Sequence, residues 1–221
     1  MNIYYQDHLV TLYHGDALTL DAWQTADVLV IDPPYGIEWR GMTTGVNKGY
    51  DKHAAGIAND QDTTARDDIL NLWGDKPAIV FGSWKQPRPA NTKHRLIWHK
   101  QGMAPGALNA PFMTQDEEIY ILGTGFVSTS PPQRSVITTT EHRGTAVKTI
   151  GHPTPKPVGL MELLINRCPP GVIADPFTGS GSTLIAARNL NRQAIGVEIN
   201  EAYCEIVAKR LSQQAFDLGG I

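Results

Sequence analysis

One stretch, residues 172–200, restricts the fold of this chain more than any other. It reads VIADPFTGSGSTLIAARNLNRQAIGVEIN: a short apolar run, a glycine-rich turn, a helical pattern and a second apolar run. Strand, helix and strand in this order are typical of a βαβ unit with two parallel strands. Because a parallel sheet is covered by helices on both faces, the stretch predicts an α/β protein.

The rest of the chain continues this alternation of apolar runs and helical patterns. Further strands are predicted at 3–5 and 9–13, which would form a hairpin, and at 28–31, 78–81, 95–98 and 118–122. A short helix is predicted to carry Leu18, Leu20 and Trp23, and a second helix Ile69, Leu70 and Trp73. Two more helices are predicted at 157–168 and after Asn200. Little helix separates 95–98 from 118–122, so these two strands are expected to pair antiparallel. Residues 36–60 and 123–151 have no period of their own and are interpreted as a flexible loop and an irregular insert. No linker divides residues 1–221, so one domain is predicted.

Bulk composition excludes several classes of protein. At 221 residues, 41% hydrophobic and 19% charged, the chain is expected to be a soluble globular domain. It contains no apolar run near twenty residues and no secretion signal, so we expect no membrane association and a cytoplasmic location. Cys168 and Cys204 fall in apolar helical patterns and are predicted to be core residues. The histidines lack metal-binding spacing, so no metal site is predicted.

The glycine-rich turn indicates a ligand, and its details separate the candidates. Gly179 and Gly181 allow the backbone to turn tightly and to approach a ligand closely. TGSGST has no lysine, which argues against a triphosphate, and Leu184 stands where a dinucleotide fingerprint has its third small residue. Asp175 would repel a pyrophosphate but would attract an ammonium, and Glu198 ends the next strand, where it can accept the ribose hydroxyls. S-adenosylmethionine combines a ribose and an amino acid without phosphate and fits best.

Two other segments support this cofactor. In HPTPKP (152–157), Thr154 and Lys156 precede the helix that begins near Pro157, where backbone N–H groups and a lysine favour an anion such as a methionine carboxylate. Asp16 ends an earlier strand and could accept the adenine amino group of the cofactor. Taken alone, Asp16 is more readily explained as a helix cap.

The stretch VLVIDPPYGIEW (28–39) ends a buried strand with an acid, two prolines and a tyrosine. Proline has no N–H group, and an ionised aspartate only accepts hydrogen bonds. Asp32, Pro33 and Pro34 therefore form an acceptor corner that complements a group with two donors, an –NH2. Tyr35 adds a face on which a planar base could stack, worth about 1–3 kcal/mol. The corner is predicted to hold the exocyclic amine of a base, with Asp32 as a proton relay, and such a base must be flipped out or single-stranded.

Four motifs carry a family resemblance. DPPY (32–35), HPTPKP (152–157), DPFTGSGST (175–183) and GVEIN (196–200) resemble the amino-methyltransferases that modify bases in nucleic acids. With DPPY ahead of the glycine loop, their order is similar to the circularly permuted β group of bacterial and phage DNA methyltransferases. Weaker similarities at 15–16, IWHK (97–100) and DEEIYIL (116–122) extend the match over nearly the whole chain.

The resemblance implies a fold and a set of roles. The fold is a Rossmann-like, seven-stranded mixed sheet with helices on both faces and one antiparallel strand. Asp32, Pro33, Pro34 and Tyr35 would hold the target base. The residues predicted to bind S-adenosylmethionine are Asp16, Ala17, Thr154, Lys156, Asp175, Phe177, Gly179, Gly181, Ser182 and Glu198.

The predicted partner is double-stranded DNA, approached through two basic stretches on an otherwise acidic chain of net charge −3. The predicted DNA-contacting cations are Arg40, Lys48, Lys52, Lys85, Arg88, Lys93, Lys100, Arg134, Arg143 and Lys148. The loop at 36–60 is expected to face DNA, and 123–151 is the expected recognition insert. Because that insert is short, a long recognition sequence is not expected, and help from a second subunit in a homodimer is plausible.

Three hypotheses follow from these observations. The first is transfer of a methyl group to adenine N6 in DNA, as part of bacterial or phage restriction–modification, because DPPY favours adenine within the family and SPPY is commoner for cytosine N4. The second is transfer to cytosine N4 or to an RNA base. The third is a non-catalytic nucleic-acid-binding subunit, which should have lost the acceptor corner, the glycine loop or the acid at 198. All three features are intact.

Overall fold

The computed structural model describes residues 2–37, 60–101, 112, 114–140, 150 and 155–217. The strands within these residues are β1 (Ile3–Gln6), β2 (Val10–His14), β3 (Val28–Ile31), β4 (Ala78–Gly82), β5 (His94–Lys100), β6 (Asp116–Leu122), β7 (Val136–Thr139), β8 (Ile173–Asp175) and β9 (Ala194–Glu198). The α-helices are α1 (Thr64–Trp73), α2 (Val158–Ile165), α3 (Ser182–Asn189) and α4 (Glu201–Asp217), and a 3-10 helix spans Ala22–Thr25.

The nine strands form one mixed sheet in the order β1-β2-β9-β8-β3-β4-β6-β5-β7. Strands β2, β9, β8, β3 and β4 run parallel, while β6 is antiparallel to both β4 and β5. The predicted α/β class is confirmed, as are the hairpin at the N-terminus and the antiparallel pairing of β5 with β6. Two edge strands, β1 and β7, account for the difference from the seven strands expected.

Helices cover both faces of this sheet, and β3 shows why its sequence is apolar throughout. Val28 and Val30 join the core formed with α2, α3 and α4. Leu29 and Ile31 point to the opposite face, where they pack with Trp23 of the 3-10 helix and with α1. All four strand residues are fully buried, as expected of a central parallel strand covered on both sides.

Two sequence-based expectations were wrong in detail. The short helix expected to carry Leu18, Leu20 and Trp23 is replaced by a turn at Leu18, where Asp16 accepts the N–H of Leu18 at 2.9 Å, and by a one-turn 3-10 helix that contains only Trp23 of the three. The insert at 123–151, expected to be irregular, contains β7, which pairs in parallel with the outer side of β5. A four-residue edge strand gives too weak a pattern to recognise.

Two other local predictions, the cap of α4 and the burial of both cysteines, are confirmed. Asn200 caps α4, with its side-chain oxygen accepting the N–H of Ala202 at 2.9 Å. Cys168 and Cys204 are both free and buried.

Within the described ranges, no helix has the length and apolar character needed to span a membrane. The same ranges hold no cluster of side chains suited to a metal ion.

Candidate active site

The parallel strands end together at one edge of the sheet, and the motifs lie at this edge. Asp32 follows β3, Asp175 ends β8 and Glu198 ends β9. The antiparallel strand β6 brings its first residues to the same edge, since Glu118 pairs with Gly82 at the end of β4. Loops outside the carboxyl ends of the strands are where open α/β sheets bind ligands.

Asp32 lies at the centre of a group of polar side chains. Its Oδ1 accepts the hydroxyl of Tyr35 at 2.8 Å, and its Oδ2 accepts the ammonium of Lys156 at 2.6 Å. The Asp32 side chain is 24% exposed, so it remains accessible from the edge of the sheet. Pro33 and Pro34 contribute no N–H donor here. The structure thus brings the predicted acceptor corner together with Lys156.

Lys156, predicted to bind the cofactor carboxylate, pairs with two carboxylates of the protein itself. Its ammonium lies between Asp32 and Glu117, 3.2 Å from the latter, and its side chain is only 7% exposed. The rings of Tyr35, Phe81 and Trp98 surround it, with centroids 5.4, 5.1 and 5.9 Å away. Burial alone would lower the pKa of Lys156, but the charges of Asp32 and Glu117 outweigh burial and raise it. The predicted contact with the cofactor stays a prediction.

Glu117 is a site residue that sequence reasoning missed. Its Oε2 lies 2.9 Å from the Tyr35 hydroxyl, and its Oε1 forms an ion pair with Lys100. Burial would raise the pKa of Glu117, but Lys156 and Lys100 lower it to about 2. The signal was the run DEE in front of an apolar strand. Only the antiparallel direction of β6 places that run beside the corner.

Lys100 was predicted to contact DNA, and the structure places its ammonium against Glu117 at the end of β5. It also lies 4.9 Å from the ring centroid of Trp98. The Lys100 ammonium thus pairs with a carboxylate of the protein, and a contact between Lys100 and DNA remains a prediction. We call Asp32, Tyr35, Glu117, Lys156 and Lys100 the corner cluster.

The two carboxyl groups of the corner cluster differ in their acidity. Burial and the neighbouring charge of Glu117 raise the pKa of Asp32, whereas Lys156 and the Tyr35 hydroxyl oppose this shift. Glu117, in contact with two lysines, stays ionised at any physiological pH. When the pKa values of two neighbouring carboxyl groups differ, one group can accept a proton while the other stays ionised.

The glycine loop (175–183) connects β8 to α3 and is shaped by two left-handed residues. Gly179 has φ of 51° and Gly181 has φ of 81°, a region that other residues rarely adopt. A Cβ on Gly181 would also lie 2.9 Å from a methyl group of Val207. The N–H of Gly179 donates to Glu198 Oε2 at 2.7 Å, and the N–H of Asn200 donates to Oε1 at 2.8 Å. Glu198 therefore has both oxygens anchored, with further lone pairs available.

Asp175, the acidic residue at the start of the glycine loop, is buried, with 2% exposure. It accepts the N–H of Phe177 at 3.1 Å and the hydroxyl of Thr183. Burial raises the pKa of Asp175 to about 7, and burial also raises the pKa of Glu198. In the described part of the chain, no lysine or arginine forms an ion pair with either carboxylate.

Short contacts join the remaining predicted residues to the loop. The N–H of Gly15 donates to the carbonyl of Glu198 at 3.0 Å, which places the turn of Asp16 and Ala17 beside it. The hydroxyl of Ser182 donates to the carbonyl of Lys156 at 2.7 Å, so the start of α3 is tied to the corner cluster. Thr154 lies outside the described residues.

The predicted DNA-contacting cations are spread over the molecule. Lys85, Arg88, Lys93 and Arg134 are exposed, whereas Arg40, Lys48, Lys52, Arg143 and Lys148 lie outside the described residues. Lys85 and Arg88 follow β4, on the side of the corner, and Gln86 donates to the carbonyl of Gly36 at 2.6 Å. Lys93 precedes β5, about 20 Å from the far end of that strand. The basic stretch 85–100 is therefore not one continuous surface.

The loop at 36–60 is anchored at its base. The N–H of Gly36 donates to the buried carboxylate of Asp60 at 2.7 Å. The two ends of the loop thus meet directly after the acceptor corner. Residues 38–59 lie outside the described part of the chain, so the expected role of this loop toward DNA stays a prediction.

Comparison with known proteins agrees with the motifs. Type II methyltransferase M.ScaI of Streptomyces caespitosus is 27% identical in an alignment 263 positions long, which covers 97% of this chain and 85% of that protein. M.HindIII of Haemophilus influenzae is 45% identical over 62 residues, 27% of this chain and 20% of that protein.

Solved structures share the fold. The M1.HpyAVI complex with SAM matches with a TM-score of 0.65 at 20% identity, over 92% of this chain and 99% of that one. PvuII DNA methyltransferase, named as cytosine-N4-specific, matches with a TM-score of 0.65 at 14% identity, over 94% and 88%. A putative DNA modification methylase of Thermus thermophilus with bound S-adenosyl-L-methionine matches with a TM-score of 0.54 at 20% identity, over 91% and 93%.

The family model N6_N4_Mtase, described as DNA methylase, matches residues 26–209, which contain the acceptor corner, the glycine loop and the acid at 198. The family is S-adenosylmethionine-dependent, which confirms the predicted cofactor at the level of the family. The chain belongs to the N6/N4 family of DNA amino-methyltransferases.

Proposed function

We propose that this protein transfers a methyl group from S-adenosylmethionine to adenine N6 of a base flipped out of double-stranded DNA, at a short recognition sequence. The single observation that carries the proposal is the position of Asp32. It is a partly accessible carboxylate beside two proline carbonyls, at the sheet edge that also holds Asp175 and Glu198. The choice of adenine depends on the DPPY motif, and cytosine N4 or an RNA base is the second candidate.

The residues at the glycine loop fit S-adenosylmethionine. Glu198 uses one lone pair of each oxygen for backbone N–H groups, which leaves acceptors for the two ribose hydroxyls. Asp175 is a buried carboxyl group without a cationic side chain against it in the described residues, and the ammonium of the cofactor would supply that missing charge. When bound, the cofactor supplies a methyl group on a positively charged sulfur.

The residues of the corner would prepare the target amine. The lone pair of an exocyclic amine is delocalised into the ring, so the amine is a poor nucleophile. Asp32 and the carbonyl of Pro33 would accept its two N–H bonds and orient the lone pair toward the methyl group. Tyr35 would stack against the base. Asp32, with its raised pKa, can take up the proton that the amine releases after transfer.

Access to the corner requires a flipped base. Lys156, Tyr35 and Glu117 surround Asp32 at the carboxyl ends of the strands, and we expect a base to reach this carboxylate only when it is flipped out of the duplex. Lys85 and Arg88, exposed beside the corner, would contact phosphates.

The homodimer stays a prediction, to be tested by analytical ultracentrifugation. A bacterial cytoplasmic location is proposed because the relatives are bacterial DNA methyltransferases.

The deciding experiment identifies the product. The protein is incubated with cofactor labelled in its methyl group and a random-sequence DNA duplex, and the DNA is digested to nucleosides. Labelled N6-methyl-2′-deoxyadenosine is the expected product, and mapping of the modified positions yields the recognition sequence. Labelled N4-methyl-2′-deoxycytidine would instead establish cytosine N4 as the target. Label in RNA but not in DNA at low salt would overturn the DNA substrate.

A non-catalytic binding subunit makes a different prediction. It would bind DNA and transfer no label to any nucleic acid, whether or not it still bound the cofactor. The intact acceptor corner and both loop carboxylates argue against this role.

A further inference from the structure

The corner cluster contains a closed ring of contacts that the transfer reaction itself does not explain. Starting at Asp32, the ring passes to the Tyr35 hydroxyl at 2.8 Å and then to Glu117 Oε2 at 2.9 Å. It continues to the Lys156 ammonium at 3.2 Å and returns to Asp32 at 2.6 Å. Each of the two donors, the tyrosine hydroxyl and the lysine ammonium, therefore has the same two acceptors within reach.

The Tyr35 hydroxyl can have two orientations, one for each carboxylate. A phenol has a single O–H and can donate to only one of the two carboxylates at a time. Burial and both carboxylates raise the pKa of Tyr35 far above its ordinary value, so this proton stays on the ring oxygen. The Tyr35 hydroxyl can therefore point to Asp32 or to Glu117.

An ionised carboxylate can accept more than two hydrogen bonds, but at Asp32 the amine of a base would compete with two donors already in place. Its two oxygens currently accept from Tyr35 and from Lys156. The amine of a target base brings a new N–H donor to this carboxylate. Because a donor left without a partner in a buried site is costly, the displaced donors need another acceptor close by. Among the described residues, Glu117 is the second carboxylate within reach of both the Tyr35 hydroxyl and the Lys156 ammonium.

We propose that Glu117 is a positioning residue that receives the Tyr35 hydroxyl and the Lys156 ammonium when Asp32 turns to the amine of the target base. This inference rests on the proposed function. Glu117 touches neither the base nor the cofactor in this scheme and acts only through its two neighbours. In its absence, Lys156 pairs with Asp32 alone and competes with the amine for it.

The surroundings of Glu117 suit this task. The charged or titratable groups that contact it in the described structure come from three sides: Lys100 from β5, Lys156 from the segment before α2, and Tyr35, with Asp32 beyond it, from the turn after β3. Lys100 pairs with Oε1, which leaves Oε2 for the incoming donors. Two carboxylates and two ammonium groups balance in charge, so moving donors between the carboxylates creates no buried net charge.

The test uses Glu117→Gln, which keeps the shape and removes the charge. Its single-turnover rate of methyl transfer is expected to fall on the order of 10²-fold, while cofactor affinity stays within about twofold of wild type. The acidic limb of its pH–rate profile should move to lower pH, because the negative charge of Glu117 raises the pKa of Asp32. Glu117→Asp, which retains the charge, should bring that limb back toward its wild-type position.

Glu118→Gln is the matched control. Glu118 is the next residue of β6, is also buried, and pairs with Arg95 at 2.9 Å. A similar loss of transfer in this variant would mean that Glu117 acts through the stability of the strand. If Glu117→Gln does not fold, the neutral double variant Lys100→Gln/Glu117→Gln replaces it, with the same loss of rate at unchanged cofactor affinity expected.

The outcomes separate this inference from the proposed function. Wild-type protein that methylates no base would contradict the proposed function. Active wild-type protein together with Glu117→Gln of unchanged rate and unchanged pH profile would overturn only the positioning role. A lower rate with an acidic limb that does not move toward lower pH would also overturn it.

Discussion

The corner cluster and the glycine loop both bury carboxyl groups at the carboxyl ends of the parallel strands, but only in the corner cluster do lysines neutralise the negative charges in the described structure. In the corner cluster, Asp32 and Glu117 are paired with Lys156 and Lys100. At the glycine loop and the strand end beside it, the described partners of Asp175 and Glu198 are neutral N–H and O–H groups, and no lysine or arginine of the described residues pairs with them.

This difference corresponds to the ligand that each region is proposed to bind. A neutral amine can approach a corner whose charges already balance, since its binding adds no net charge. A cofactor with a positive ammonium and a positive sulfur would instead supply the charge that the loop carboxylates lack. The cost of the uncompensated loop is visible in Asp175, whose pKa of about 7 reflects burial without a cation.

The largest expected effect separates transfer from cofactor binding. Asp32→Ala should lower the rate of methyl transfer at least about 10²–10³-fold, because the corner loses its charged acceptor. Cofactor affinity, measured by calorimetry, should stay near wild type. If both properties are lost together, Asp32 is a structural residue and the two regions do not act separately.

The converse variant acts on the glycine loop. Glu198→Ala should weaken cofactor binding about 10–100-fold, the usual effect of losing hydrogen bonds to a charged group. Transfer at saturating cofactor should be much less affected than in Asp32→Ala. Glu205→Ala, an acid on the exposed side of α4, is the control. An unchanged affinity in Glu198→Ala would exclude the ribose role.

The protonation of Asp175 should make the affinity for the cofactor depend on pH. Only ionised Asp175 can pair with the cofactor ammonium, so affinity should rise with pH up to about 7 and level off above it. Between about pH 5.5 and pH 7 the dissociation constant should fall about tenfold, as the ionised fraction rises. Cofactor titrations at these pH values check this. Asp175→Asn should bind weakly at every pH, and a pH-dependent affinity in this variant would assign the effect to another group.

The smallest effect concerns the surface by which DNA reaches the corner. Replacing Lys85 or Arg88 by Gln should weaken DNA binding and reduce the slope of log affinity against log salt by about 0.9 for each lost phosphate contact. Lys93→Gln serves as the matched control because Lys93 lies at the opposite edge of the sheet, before β5. Equal slopes for all three variants would mean that the surface next to the corner is not the DNA-binding surface.

Several predicted site residues that lie at the carboxyl ends of the parallel strands share one property, which is that their neighbours in sequence are also their neighbours in space. Gly179 and Glu198 belong to one βαβ unit, so a single strand–turn–helix–strand pattern placed the N–H of one near the carboxylate of the other. Asp32 follows directly after a strand whose apolar run could be recognised. For these residues, local backbone chemistry was sufficient to indicate their position in the fold.

Glu117 and Lys156 show where such local reasoning ends. Lys156 lies 124 positions from Asp32 and 39 from Glu117, and HPTPKP by itself indicated an anion-binding segment rather than a partner for two acids. The chain alone determined the α/β class, the acceptor corner and the glycine loop, because these depend on hydrophobic periodicity and on the conformations open to proline and glycine. Only the tertiary structure decided that β6 runs antiparallel and brings Glu117 to the edge where the parallel strands end. Burial and charge pairing between distant residues depend on strand order and direction, which no short stretch of sequence contains.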